Sequence, residues 1–198
     1  MTAALGVRSH SGWAAYCILA GDPTEPDLLA RGRMALNDPS IAGSKQPFHT
    51  AEPMDFAAAR TFIARCRRAT ERLARAAVEA LARERPLGAC CVLTSAGREL
   101  PDLKAILASH ALIHAAEGAF YRDAVAGACA ALGIAVRRVR ERDLESECGV
   151  LPTSGDAVRT RLRAMGDAAG PPWTADEKMS ARAAWLMLAA LPAGRLRR

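Results

Sequence analysis

The sequence predicts a single α/β domain over residues 1–198, built on a mixed five-stranded sheet flanked by helices. Three observations lead there. The segments read in the order strand, strand, strand, helix, strand, helix, strand, helix. Short turns join the first three strands, which makes them an antiparallel meander. A long helical stretch precedes each of the last two strands, which right-handed crossovers then set parallel to the first. A chain of 198 residues, 51% of them apolar, buries a sizeable core without dividing. No internal repeat or long linker interrupts it.

Taken in order, Ala4–Val7 and Trp13–Leu19 are apolar strands on either side of a tight polar turn. The run Gly21-Asp22-Pro23-Thr24-Glu25-Pro26-Asp27 is rich in turn formers, and Leu28–Leu36 gives a third strand ending at Asn37-Asp38-Pro39. A polar loop extends to about His49. Pro53 suits the first turn of a long helix, where its missing N–H has no partner in any case. That helix is expected to reach about Arg85 and stop at Pro86. Its stripe of Phe56, Ala59, Ile63, Cys66, Leu73, Ala77 and Leu81 would face the sheet. Arg60, Arg67, Arg68, Arg72 and Arg75 lie largely off the stripe, as a solvated face or as a track for nucleic acid.

Cys90–Thr94 is wholly apolar and reads as a central strand covered on both faces. After the turn Ser95-Ala96-Gly97, helical sequence runs from about Pro101 to Leu132 with a break near Ser109, and Gly133 suits the left-handed closing position. Ile134–Val139 is the fifth strand. Thr153-Ser154 caps a helix carrying Val158, Leu162 and Met165, and Gly170-Pro171-Pro172 breaks the chain. Thr174 and Glu177 form a capping box for a last helix to about Leu191, with a basic tail over residues 193–198. Trp13 and Trp185 are expected in the core.

The net charge is +6 and lysine occurs only as Lys45, Lys104 and Lys178, so arginine carries nearly all of it. Its planar fork suits phosphate, which makes a polyanion one candidate partner. An arginine-rich solvated surface without a partner has the same composition. The six cysteines (Cys17, Cys66, Cys90, Cys91, Cys129, Cys148) contain no C-x-x-C pair and read as small buried hydrophobes in a reducing compartment. No run approaches the ~20 apolar residues of a membrane span, and no basic-then-apolar leader opens the chain. A cytoplasmic location with no membrane contact is the expectation.

Leu5-Gly6-Val7-Arg8 followed by Ser11-Gly12-Trp13 resembles the opening of the ribonuclease H-like superfamily, the RuvC-type resolvases in particular. There the pattern is Leu-Gly-Ile-Asp and then Thr-Gly-Tyr/Trp. Asp156–Leu162 is similar to a short helix of those resolvases, and Asp176–Trp185 to their closing Asp-x-x-Asp-Ala-Leu-Ala helix. The resemblance implies a ribonuclease H-like fold and phosphodiester cleavage by two divalent metals. Acids of the first strand, the fourth strand and the last helix hold those ions. In this chain Arg8 holds the first-strand place, the strand Cys90–Thr94 has no acid, and Lys178 holds one terminal-helix place beside Asp176 and Glu177. Two cations there would repel Mg²⁺, so a divalent metal is disfavoured and a pseudoenzyme is expected.

Another group of residues carries chemistry of its own. His110, His114 and Glu117 stand at i, i+4 and i+7 on one helical face, a spacing that suits catalysis or, as a weaker candidate, a metal. The bland reading leaves one histidine exposed and Glu117 paired with Arg122. In a metal-free site Arg8 and Lys178 would bind phosphate, Ser9 and Ser11 would donate hydrogen bonds, and His10, His114 or Glu117 would handle a proton. Arg137, Arg138 and the tail would touch nucleic-acid backbone. Three functions therefore compete: a nucleic-acid-binding protein without conventional nuclease activity, a divergent nuclease or phosphate-ester hydrolase, and a non-catalytic interaction domain. A second copy of the chain is a further candidate partner.

Overall fold

The computed structural model describes residues 2–95 and 99–192. The expected turn at Ala96-Gly97 and the basic tail at 193–198 lie outside them. The strands are β1 (Ala3–His10), β2 (Trp13–Ala20), β3 (Asp27–Ala35), β4 (Leu87–Thr94) and β5 (Ala135–Arg140). They form one sheet in the order β3-β2-β1-β4-β5. β1 pairs antiparallel with β2, and β2 with β3. β4 runs parallel to both β1 and β5. The sheet is the one the sequence predicts, with most strands one or more residues longer because ladder pairing continues past the apolar run.

Side chains alternate between two cores, as a pleated strand requires. Leu5 and Val7 of β1, with Cys90 and Val92 of β4, meet α2 (Phe56–Glu84) and α4 (His110–Ala131) on one face. Ala4, Cys91 and Leu93 meet α6 (Gly155–Ala169) and α7 (Ala175–Ala190) on the other, around the fully buried Trp185. α7 lies so close to β1 that a Cβ on Gly6 would stand 1.9 Å from the Ser180 carbonyl oxygen. The glycine of the opening motif is there to admit this helix. All six cysteines are buried free thiols.

Several boundaries differ from expectation. Pro53 does not start the long helix: Asp55 does, its carboxylate accepting from the Ala57 and Ala58 amides. Phe56 precedes the buried stripe and is exposed, and the stripe continues through Ala69, Ala74 and Val78. An unexpected short helix, α1 (Pro47–Ala51), occupies the end of the presumed loop. The break at Ser109 separates α3 (Leu103–Leu107) from α4, and Gly133 has φ +72° as required. Between β5 and α6 lie two single 3₁₀ turns and α5 (Leu144–Glu147). Ser154 caps α6 and the Thr174/Glu177 capping box opens α7. Among the described residues no helix is long and apolar enough to cross a membrane.

Candidate functional site

Arg8 lies at the C-terminal end of β1, beneath the first turn of α7. Its guanidinium donates from Nη1 to Asp176 Oδ1 at 2.5 Å, and from Nε and Nη2 to the two oxygens of Glu141 at 3.1 and 2.8 Å. Glu141 begins the 3₁₀ turn that follows β5, so three elements meet at one planar fork. His10 Nε2 lies 2.9 Å from the same Asp176 oxygen. The His10 ring stacks on Trp13 with centroids 4.4 Å apart, and Arg33 sits over the other ring system at 4.2 Å. Trp13 is therefore half-buried in a stack rather than part of the core.

The electrostatics follow from these partners. The Glu141 hydrogen bond, resisted by partial burial and aided by Asp176, raises Arg8 above its ordinary value. Burial pushes the Asp176 carboxyl up, but hydrogen bonds from His10 and Arg8 outweigh it and hold Asp176 below the usual carboxylate value. Glu177 is buried and spent on the capping box, where it accepts from the Thr174 amide at 2.8 Å.

Lys178 does not join this cluster. Two residues along a helix turn about 200°, so while Asp176 and Ser180 face the sheet, Lys178 faces outward. It lines an open groove of about 620 Å³ with Arg159, Arg163, Arg182, Asp167 and the Trp173 ring. Arg159 pairs with Asp156, whereas Arg163, Lys178 and Arg182 form no ion pair among the described residues. Arg31 fixes the groove's wall by donating to the carbonyls of Ala169 and Gly170 at the C-terminus of α6, where the helix dipole favours a cation. Gly166 leaves room for Trp173, whose ring would otherwise lie 2.2 Å from a Cβ.

Glu117 belongs to the opposite face of the sheet. It is buried against α1, where one oxygen accepts from the Phe48 amide at 2.8 Å, the His49 amide at 3.2 Å and His49 Nδ1 at 3.2 Å. Arg122 is not among its partners. Burial raises its pKa, and the His49 and Phe48 hydrogen bonds counter part of that rise. His110 and His114 sit together on the exposed start of α4, with their Nε2 atoms 3.1 Å apart. The single crevice expected for Arg8, Glu117 and Lys178 is thus three separate places. Ser9 points away from Arg8 by strand alternation, with its Oγ buried and unpartnered, and Ser11 belongs to the β1–β2 turn. Arg137 and Arg138 face acids, Glu147 at 2.5 Å and Asp123 at 2.7 Å. Glu141 and His49 escaped sequence reading. The first had a usable signal, standing directly after a parallel strand at the edge where such sheets gather ligands.

No family model and no curated protein matches the chain. Solved structures do. A Thermus thermophilus RuvC in complex with a Holliday junction substrate superposes with a TM-score of 0.56 at 10% identity, over 94% of this chain and 92% of that one. A second T. thermophilus RuvC structure gives 0.51 at 13% identity, over 93% and 92%. The fold is RuvC-like.

Within this RuvC-like fold, the residues do not fit a pair of divalent ions. Hard cations require converging oxygen ligands. β1 presents a guanidinium, β4 presents no carboxylate between Leu87 and Thr94, and Asp176 and Glu141 are engaged by Arg8. The expectation of two cations here is corrected to one, Arg8, bridging two acids.

Proposed function

We propose that this chain is a nucleic-acid-binding protein of RuvC-like fold that does not perform conventional two-metal cleavage. One helix carries the reading. The inner side of α7 holds Asp176 in the grip of Arg8, and its outer side sets Lys178 and Arg182 in an open cationic groove beside Trp173. Cations that grip phosphate next to a ring that stacks on a base are the elements of single-strand and branch recognition. The structural neighbour that holds a Holliday junction supports the same partner class.

The test is fluorescence anisotropy with labelled branched and single-stranded DNA over a salt series. Binding weakens steeply with salt, and Lys178→Ala and Arg182→Ala each lower the log–log slope by about 1. No cleavage accompanies it in Mg²⁺ or Mn²⁺. Salt-independent affinity would remove the binding claim. Metal-dependent cleavage lost in Asp176→Asn would remove the claim of inactivity.

A further inference from the structure

Three of the chain's four histidines converge away from the Arg8 cluster and from the groove between α6 and α7. His49 comes from α1, and His110 and His114 from the first turns of α4. One ring nitrogen from each lies within 4.8 Å of the others. The i, i+4 spacing stacks His110 and His114 on one helical face. Their 3.1 Å Nε2 separation is close to the edge of a tetrahedral zinc site, about 3.3 Å for Zn–N bonds of about 2.0–2.1 Å. The rings meet edge to face, with centroids 4.6–5.5 Å apart, so their nitrogens approach without the rings lying flat together.

A second observation points to a cation. Glu117, one turn beyond His114, is 4% exposed and takes the Nδ1–H of His49. A carboxylate behind a histidine fixes its tautomer and leaves Nε2 free as a donor to metal, the usual outer shell of such sites. The other Glu117 oxygen is buried with no hydrogen-bond partner. A buried carboxylate that is only half satisfied is costly, and a positive ion one imidazole away offsets that cost.

We propose that His49, His110 and His114 bind a divalent transition-metal ion, Zn²⁺ foremost, with Glu117 as the residue that positions His49. Imidazole donors select this class of ion over Mg²⁺. Because His110 and His114 are exposed, the fourth coordination position faces solvent and takes water, as in zinc sites that keep an open place.

Tag-free, metal-stripped protein is titrated with Zn²⁺ by calorimetry and with Co²⁺ by visible absorption. One ion per chain and the intense ligand-field bands of tetrahedral Co²⁺ are expected. Glu117→Gln weakens Zn²⁺ binding by about 10- to 100-fold, and His110→Ala and His114→Ala weaken it by more. The two exposed histidine variants keep the wild-type circular dichroism, so their loss of binding is not a loss of folding. Absence of stoichiometric uptake by folded wild-type protein, or unchanged uptake in the doubly substituted His110→Ala, His114→Ala protein, overturns the site.

Discussion

Arg8 binds Glu141 through two parallel hydrogen bonds and Asp176 through a third, so its removal strands two acids at once. Arg8→Met is expected to cost about 2 kcal/mol in chemical denaturation, the scale of a charged hydrogen-bond network that is only partly buried. The same change lets the Asp176 carboxyl rise toward its ordinary value, visible by carbon NMR. The pH dependence has a definite sign. Asp176 titrates lower in the folded than in the unfolded chain, so its stabilisation is complete above the unfolded value and vanishes as pH falls through the folded one. The Leu-Gly-Val-Arg pattern made Arg8 readable from sequence. Asp176 was named as an acid of the last helix, but its pairing with Arg8 and the part played by Glu141 were not read, because the two acids lie 168 and 133 positions away and only the sheet order joins them to Arg8. His49 was hidden differently, in a loop-like segment too short to show a helical period.

At the level of elements, α7 rests on β1 through a contact that only glycine permits. Gly6→Ala is expected to destabilise by about 3 kcal/mol or more, since the intruding methyl meets backbone rather than a movable side chain. Thermal unfolding measures it. The cap at Asp55 shows why helix starts mislead. Pro53 is a plausible first-turn residue by chemistry, yet a carboxylate two positions later satisfies two orphan amides and wins. The capping box at Thr174 and Glu177, by contrast, is a local device wholly written in four residues, and it was legible.

For the whole molecule, the antiparallel meander and the parallel sense of the last two strands were recoverable from turn chemistry and the long helical connections, but the separation of sites was not. Sequence spacing cannot say which face of the sheet a helix covers, and α4 and α7 cover opposite ones. Net charge has the same weakness. The arginines of β5 pair with neighbouring acids, whereas among the described residues Arg163, Lys178 and Arg182 of the groove between α6 and α7 have no acidic partner, and neither do Arg60, Arg65, Arg67, Arg68 and Arg83 on α2. Arg163→Ala is accordingly expected to weaken DNA binding several-fold, while Arg138→Ala leaves it unchanged, in the same anisotropy assay.

The bridge that Arg8 forms between strand and helix also bears on what holds this corner closed. A tethered organic ion never dissociates, needs no supply from the surroundings and cannot be stripped by a chelator. The carboxylates of Asp176 and Glu141 should therefore keep their alignment whether magnesium is abundant or scarce, a constancy that a corner built around borrowed inorganic charge does not have.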